Sequence, residues 1–382
     1  MKIAFHAPLK SPDHPVASGD RALARAFVAA LGRCGHDVRL ASRFRSFDAR
    51  GDDSRQARLA TVGAALAARY VARVRHDAWR PDLWFTYHLW HKAPDLLGPA
   101  VSRTLDLPYV VAEASIAPAA AQGRWSRGYA AALRAIDAAD AIVSVNPRDV
   151  ERIRDARGLR THDGLMPPFL DVDAFLRDAP ARQPADRRER RVTIACVAMM
   201  RDGAKLASYR LLADALRGIA DADWTLAIAG DGPARADVEA AFAGFDPGRV
   251  RLLGALDARG VAALLRAVDV FAWPAIDEAF GMALLEAQAC GLPVVAGRSA
   301  GVAAVVDDGA SGILVAPGDA AAFGAALATV VTDGGLREAM GQRAAAYVRE
   351  RHGLASAASL LDALLRGVVA ERASARRRAA RR

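Results

Sequence analysis

The sequence of 382 residues has few cysteines, few lysines and no long uncharged apolar run. Its three cysteines, Cys34, Cys196 and Cys290, are far apart and odd in number. This pattern argues against a disulfide framework and a cysteine metal site, and it fits reduced thiols in the cytoplasm. No apolar run reaches the roughly 18 residues of a membrane-spanning helix, so none is predicted. The first ten residues become polar too early for a signal peptide and instead predict a strand.

The positive charge is concentrated at the end of the chain. The net charge is +9, and the last eleven residues, 372–382, contain six arginines and no acid. We predict a disordered basic tail that either contacts the anionic inner face of a membrane, at about 1 kcal/mol per basic residue, or is simply solvated. Nucleic-acid binding is not predicted, because aromatic interleaving and a known binding module are missing. The excess of arginine over lysine, with abundant alanine, is typical of bacterial coding preference.

The first part of the chain, residues 1–170, alternates between predicted strands and helices. The predicted strands are 2–6, 37–41, 83–87, 108–112 and 141–145, and the predicted helices are 21–33, 56–75 and 127–138. This alternation indicates a parallel sheet with helices on both faces.

A second alternation follows a predicted linker at 171–190, which is rich in proline, arginine and aspartate. The predicted strands are 192–197, 225–229, 250–253, 268–273, 293–296 and 313–315; the predicted helices are 206–219, 234–242, 259–267 and 281–290. We therefore predict a second domain at 191–355, with a helix at 356–371 that crosses back to the first. The predicted fold class is α/β, with two Rossmann-like doubly wound domains facing across a cleft.

Two glutamates, Glu278 and Glu286, frame an otherwise apolar segment. Between residues 279 and 295 only Glu286 and Gln288 are strongly polar. A helix this apolar is normally buried, and a buried carboxylate is costly unless something pairs with it. A ligand that donates hydroxyl groups would satisfy such a carboxylate. The structural alternative is a capped core helix with one satisfied glutamate.

The start of this helix is a predicted phosphate site. The backbone N–H groups of Phe280, Gly281 and Met282 are expected to lie unpaired at its N-terminus, which suits phosphate. A phosphate flanked by hydroxyl groups indicates a nucleotide sugar. Two cations, Arg201 and Lys205, follow the first strand of the second domain and are expected to offset the charge of a diphosphate without a metal. Surface solvation is their structural alternative.

Glycines and polar residues at other predicted strand ends complete the set of candidates. The turn Gly230-Asp231-Gly232 is expected to let a ligand approach the backbone, although an ordinary tight turn explains it equally well. In the first domain, Gly19 follows Ser18, a predicted helix cap, and leaves space for a phosphate or sugar. His88 and Glu113 end two neighbouring predicted strands and are candidates for either catalysis or a structural hydrogen bond.

The chain resembles glycosyltransferase family 4, the large retaining class with a GT-B fold. The matching segments are 229–233, 278–286, 291–295 and 312–319, in order and spacing, with a looser match at Gly19 and at 31–38. The resemblance implies transfer of a sugar from a nucleotide-diphosphate donor to a hydroxyl acceptor of unknown identity, with the anomeric configuration retained and with neither a metal nor a cofactor.

The resemblance also implies roles for individual residues. The first glutamate of the family motif, here Glu278, holds donor-sugar hydroxyls, and the second, Glu286, holds the ribose. Arg201 and Lys205 hold the diphosphate, assisted by the backbone of residues 280–282.

The chain departs from the family pattern in two places. Ser18-Gly19-Asp20 replaces the common pair of glycines, and Glu113 stands where many members have a histidine. Either His88 takes the place of that histidine, or Glu113 acts in another way. Two other interpretations stay open: another GT-B enzyme, such as a nucleotide-sugar epimerase or a phosphorylase, and a non-catalytic scaffold that binds a nucleotide sugar.

Overall fold

The computed structural model describes residues 1–16, 18–177, 179, 191–278 and 281–381. The chain divides into two compact units. The first contains Met1–Met166 together with the C-terminal segment from Ala355, and the second is Pro167–Leu354. Most of the predicted linker, namely 178 and 180–190, lies outside the described residues. The part of it that is described contains a short helix, Val172–Leu176.

The first unit is built on a parallel sheet with the strand order β2-β1-β3-β4-β5-β6. The strands are β1 (Lys2–His6), β2 (Asp37–Ser42), β3 (Leu83–Leu89), β4 (Tyr109–Ala114), β5 (Ala141–Ser144) and β6 (Gly164–Leu165). The helices are α1 (Gly19–Arg33), α2 (Asp53–His76), α3 (Gly98–Leu105), α4 (Ser126–Ala138) and α5 (Pro147–Arg157), with a 3₁₀ turn at Pro118–Ala120.

The second unit repeats this architecture with the strand order β12-β11-β10-β7-β8-β9. Its strands are β7 (Val192–Val197), β8 (Trp224–Ala229), β9 (Val250–Gly254), β10 (Val270–Trp273), β11 (Val294–Gly297) and β12 (Gly312–Val315). Its helices are α6 (Val172–Leu176), α7 (Ala204–Arg217), α8 (Arg235–Phe242), α9 (Ala258–Ala267), α10 (Met282–Ala289), α11 (Ala300–Ala303), α12 (Ala320–Thr332) and α13 (Gly334–Arg351).

The central strands are mostly apolar, because helices cover both faces of each sheet. Every residue of β4 and β10 is buried, and in β3 only His88 is partly exposed. All the pairings between neighbouring strands are parallel. The predicted fold class of two doubly wound α/β parts is confirmed.

The C-terminal helix α14 (Leu354–Ala380) corrects the prediction of a disordered tail. Two of its arginines are held by acids of the first unit. The Arg372 guanidinium donates to the Asp140 carboxylate at 3.0 and 3.2 Å and to Asp106 at 2.8 Å, and Arg376 also contacts Asp106. Alanine and arginine both have high helix propensity, so the helix continues past these anchors. Within the described chain, no helix combines the length and the apolar character that crossing a bilayer requires.

Candidate functional site

The loop after β10 places Glu278 beside a lysine of the second unit. The Lys205 ammonium lies 2.5 Å from Oε2 of Glu278, and the indole Nε1 of Trp273 donates to the same oxygen at 3.0 Å. Lys205 Nζ also lies 5.2 Å from the centroid of the Trp273 ring. The structure therefore brings together a residue predicted for sugar hydroxyls and a residue predicted for the diphosphate.

The same loop contains two residues with unusual backbone angles. Ala275 and Asp277 have φ values of 54° and 52°, in the left-handed region that non-glycine residues rarely adopt. The loop is held from outside: Ser208 Oγ accepts a backbone N–H from it at 3.0 Å, and Ser299 Oγ donates to the carbonyl of Glu278 at 3.2 Å. Such over-determined, strained backbone is found mostly at active sites and ligand clamps.

Helix α10 begins directly after this loop without a side-chain cap. Gly281 precedes the helix with a φ of 62°, a conformation that favours glycine. Over the described part of the chain, the N–H groups of Gly281 and Met282 have no backbone hydrogen-bond partner. Phe280, the third predicted residue of this phosphate site, lies outside the described residues. The helix start thus has the donors that the sequence analysis predicted, at the two positions that can be described.

The two polar residues of α10 differ in how they are satisfied. Nε2 of the buried Gln288 donates to the carbonyls of Leu284 at 3.2 Å and Val305 at 2.8 Å, whereas its Oε1 has no partner within the described chain. Glu286 retains some exposure, and its carboxylate has no hydrogen-bond or ion-pair partner among the residues that the structure describes. Burial within the fold raises the pKa of Glu286 from 4.5 to about 7. Since no described residue satisfies this carboxylate, the arrangement favours a ligand over the structural alternative of a satisfied core glutamate.

The glycines of the turn after β8 have a packing role that the sequence analysis missed. A Cβ on Gly230 would lie 1.9 Å from the carbonyl oxygen of Ala198, and a Cβ on Gly232 would lie 2.2 Å from that of Met200. Met200 N–H in turn donates to the carbonyl of Asp231 at 3.0 Å. The turn therefore fixes the loop that leads from β7 to Lys205. Direct contact of a ligand with this turn stays a prediction.

Arg201 and Lys205 lie at the start of α7, but their environments differ. Lys205 is paired with Glu278, whereas Arg201 is exposed and its guanidinium has no partner within the described chain. Helix α7 also begins without a side-chain cap, after Gly203 with a φ of 77°. Uncapped N–H groups and two cations at one helix start form a site suited to a polyanion.

In the first unit, Gly19 opens α1 as expected. Ser18 Oγ accepts the N–H of Arg21 at 3.3 Å, which confirms the predicted cap. No atom lies within 4 Å of a Cβ placed on Gly19, so this helix start faces open space within its unit. The geometry has room for the phosphate or sugar that the sequence analysis predicted there.

His88 and Glu113 occupy matching positions on the adjacent strands β3 and β4. Tyr87 pairs with Ala112 and Leu89 pairs with Ala114, so the two candidates lie side by side. Both have a left-handed backbone, with φ values of 58° and 62°. Two such residues at one level of a sheet are a strained arrangement of the kind that marks functional strand ends.

The two side chains are held by different partners. Nδ1 of His88 lies 3.1 Å from the Asp20 carboxylate, and a quarter of its side chain is exposed. Glu113 is buried and accepts the N–H of Val145 at 2.6 Å. Burial raises the pKa of Glu113 to about 7, against the opposing effects of the Val145 hydrogen bond and of His88.

Two acids of this group were missed by the sequence analysis. His88 lowers the pKa of Asp20, through a hydrogen bond and its charge. Asp149 accepts from Ser115 Oγ at 3.2 Å, and burial raises its pKa. Asp20 follows Gly19 directly and could have been found from that proximity. Asp149 lies in α5, a helix that was not predicted.

Comparison with known proteins gives matches to glycosyltransferases, and the family-model match falls in the second unit. The family model for glycosyl transferases group 1 matches residues 191–333. A D-inositol 3-phosphate glycosyltransferase from Corynebacterium kroppenstedtii is 40% identical over 119 residues, which is 31% of this chain and 26% of that protein. A protein of the same name from Kribbella flavida is 43% identical over 90 residues, covering 24% of this chain and 21% of its own. The matches thus span about a quarter of these relatives.

Solved structures match both units. Anabaena HepE, in complex with UDP and glucose, covers 96% of this chain and 100% of its own with a TM-score of 0.67 and 18% identity. Sucrose-phosphate synthase from Thermosynechococcus elongatus covers 97% of this chain and 99% of its own with a TM-score of 0.68 and 19% identity. At these identities the likeness shows the fold, and it confirms the predicted GT-B class.

Proposed function

We propose that this chain is a retaining glycosyltransferase that moves a sugar from a nucleotide-diphosphate donor to a hydroxyl acceptor. The observation that carries the proposal is the carboxylate of Glu286, which has no partner among the described residues. It lies just over one turn inside a helix whose first N–H groups are also unpartnered in the described chain. Hydroxyl groups and a phosphate would satisfy these two features together.

Different residues of the second unit would bind different parts of the donor. Glu286 accepts from the ribose hydroxyls, and Glu278 accepts from hydroxyls of the transferred sugar. Arg201, Lys205 and the N–H groups at the start of α10 stabilise the charge that develops on the leaving diphosphate. Donors that are already oriented before the reaction usually make the largest contribution to catalysis.

The ion pair between Lys205 and Glu278 gives donor binding a specific requirement. When the donor binds, the Lys205 ammonium would have to move from the Glu278 carboxylate toward the diphosphate. Glu278 keeps its hydrogen bond from Trp273 Nε1, which holds one oxygen in place while the other remains available to sugar hydroxyls. The pair therefore orients both groups before the donor arrives.

In the first unit, the exposure of the side chains favours His88 as the group that contacts substrate. His88 keeps a quarter of its side chain accessible, whereas Glu113 is buried and anchored to Val145. We propose that His88, oriented by Asp20, fills the place of the histidine common in the resembled family. Glu113 then supports the strand end through its hydrogen bond with Val145.

The proposal also includes the identity of the donor and the cellular location of the enzyme. The structural neighbour HepE was solved with UDP and glucose, so uridine diphosphate sugars are the first donors to test. We propose activity without a metal or cofactor, in the cytoplasm, where the exposed arginines Arg377, Arg378 and Arg381 would contact the anionic inner face of the membrane.

A thermal-shift screen of nucleotide sugars tests the donor site directly. A donor at about a hundred times its dissociation constant stabilises the fold by roughly 2.7 kcal/mol. Glu286→Gln is expected to weaken donor binding about tenfold and so to reduce this stabilisation to about 1.4 kcal/mol. Glu239→Gln is the matched control, because Glu239 is an exposed acid of the same unit that pairs only with the neighbouring Arg235 among the contacts found in the described chain.

Two assays separate the proposed reaction from its rivals. Turnover of the donor without any acceptor would indicate an epimerase, and binding without turnover would indicate a scaffold. Activity in excess EDTA is expected, and its complete loss there would contradict metal independence.

A further inference from the structure

A cavity of about 100 Å³ lies within the first unit, between α2, α4 and the loops that follow β2 and β3. None of the residues assigned above to the donor or to the strand-end group lines it. Its polar lining consists mainly of Asp48, Gln56, His91, Lys92, Arg127 and Arg134. This volume suits a single small polar group better than a nucleotide sugar, since pockets for larger ligands usually exceed about 300 Å³.

The acidic side of this cavity is already satisfied by the protein. The Asp48 carboxylate accepts the N–H groups of Arg50 at 3.1 Å and Asp52 at 2.9 Å, and the side-chain amide of Gln56 at 3.1 Å. The carbonyl oxygen of Gln56 accepts the N–H of Gly128 at 2.9 Å. Asp48 thus holds its loop against the start of α2, and Gln56 joins α2 to α4, so these acceptors are not available to bind a cation.

The basic side has uncommitted charges. Lys92 Nζ lies 4.5 Å from the ring centroid of Trp125 and 5.4 Å from that of Trp90, with no hydrogen bond or ion pair to any described residue. Arg134, at the edge of the cavity, also has no partner in the described chain. The third cation, Arg127, forms an ion pair with the Asp53 carboxylate. Two of the three positive charges therefore remain free.

His91 adds a buried polar atom that lacks a partner in the described chain, and this atom is a donor in the tautomer that carries the proton on Nδ1. Its Nδ1 is buried and makes no hydrogen bond within the described chain, and the same is true of Nε1 of the adjacent Trp90. A Cβ on Gly128 would lie 2.2 Å from the carbonyl oxygen of His91, so glycine is needed for α4 to close against this residue. An unpaired buried donor is costly, which indicates that something else satisfies it.

We propose that this cavity binds a small oxyanion, such as a phosphate or carboxylate group. Lys92 Nζ and His91 Nδ1–H donate to its oxygens, and Arg134 adds charge at the edge. The two indoles keep the lysine stem in place, so that little conformational freedom is lost on binding. The residues of this site differ from those proposed above for the transferase reaction.

Titration with inorganic phosphate at constant ionic strength, followed by calorimetry, tests the site. Lys92→Met keeps the apolar stem against Trp90 and Trp125 and removes the charge. It is expected to weaken phosphate binding at least tenfold. Arg124→Met is the matched control: Arg124 also lies over the Trp125 ring, at 5.5 Å, but does not line the cavity. Absence of phosphate binding in the unmodified protein, or equal weakening by both changes, would overturn the proposal.

A second variant protects the test against misfolding. Arg134 makes no hydrogen bond or ion pair within the described chain, so Arg134→Gln is expected to fold normally. It should weaken phosphate binding about threefold, by loss of one nearby charge. An unchanged affinity in Arg134→Gln, if Lys92→Met fails to fold, would overturn the site. Glucose 6-phosphate and glucose then identify the source of the oxyanion. Tighter binding of the sugar phosphate than of phosphate indicates an oxyanion carried by a substrate, and equal binding indicates a free one; both results support the site.

Discussion

The two units share one architecture but hold their charged residues differently. In the first unit, His88 is bound to Asp20 and Glu113 is bound to the backbone of Val145. In the second unit, Glu286 has no partner among the described residues, and Glu278 is paired with the long, flexible side chain of Lys205. The first arrangement is satisfied by the protein itself, whereas the second leaves groups for a ligand.

This difference distinguishes residues whose contacts stabilise the shape of a site from residues that are available to bind a ligand. A carboxylate that is fully hydrogen-bonded by its own fold gains little from a ligand, because new contacts must replace existing ones. A desolvated carboxylate without a partner gains much more. We therefore expect changes in the second unit to affect donor binding and catalysis most, and changes in the first unit to affect the acceptor side.

The largest expected effect is that of Glu278→Ala. The change removes the acceptor for sugar hydroxyls and frees Lys205 from its orienting partner. We expect kcat/KM to fall about a thousandfold, equivalent to about 4 kcal/mol of transition-state stabilisation. Steady-state transfer assays measure this loss.

The fold is expected to survive this substitution. The Lys205 and Glu278 side chains are 28% and 16% exposed, so solvent takes over only part of the solvation of Lys205, and we expect the lost pair to cost about 1–3 kcal/mol of stability. His88→Ala in the first unit serves as the comparison: it should lower transfer but leave donor affinity unchanged. Full turnover by Glu278→Ala would remove this residue from the proposed site.

Two glycine-to-alanine substitutions, one in each unit, compare how tightly the two predicted ligand-binding turns are packed. Gly230→Ala places a Cβ 1.9 Å from a backbone oxygen, so we expect a loss of about 2–3 kcal/mol of stability. Gly19→Ala in the first unit meets no atom within 4 Å and should change stability by less than about 0.5 kcal/mol. Chemical denaturation measures both. Equal destabilisation by the two changes would contradict the packing role of Gly230.

The fold could be predicted from the sequence, because the alternation of strands and helices is a local pattern. Apolar strands that alternate with helices indicated both sheets, and the single acid in an apolar helix indicated Glu286. Helix α5 was missed because it is mostly charged and buries only Asp149 and Ile153. Its place is set by packing against the sheet, which no local pattern shows.

Contacts between residues far apart in the chain could also not be predicted from the sequence. Lys205 and Glu278 are 73 positions apart, and nothing in either segment indicates that they pair. The C-terminal helix depends likewise on Asp106 and Asp140, far away in the chain. The glycines of the Gly230 turn were predicted to let a ligand approach the backbone, whereas their packing against another loop became clear only from the structure.

The smallest and most discriminating effect is the pH dependence of stability that comes from the two glutamates with raised pKa values. Burial raises the pKa of both Glu286 and Glu113 from 4.5 to about 7. For an acid whose pKa is higher in the folded than in the unfolded state, the stabilisation is fully present below about pH 4.5. It is lost as the pH rises through about 7. Glu286→Gln and Glu113→Gln should each flatten this decline in thermal melts.

Donor binding should distinguish the two glutamates, because the ribose hydroxyls bind the ionised form of Glu286. Donor affinity is therefore expected to rise about tenfold between roughly pH 6 and 8, as the ionised fraction grows around a pKa of about 7. Glu286→Gln should abolish this rise, and Glu113→Gln should leave it intact, since Glu113 is satisfied within its own unit. Calorimetric titration of the donor at several pH values measures the slope. If Glu113→Gln removes the pH dependence and Glu286→Gln does not, the acid that a ligand must satisfy lies in the first unit, and the assignment of the two units is reversed.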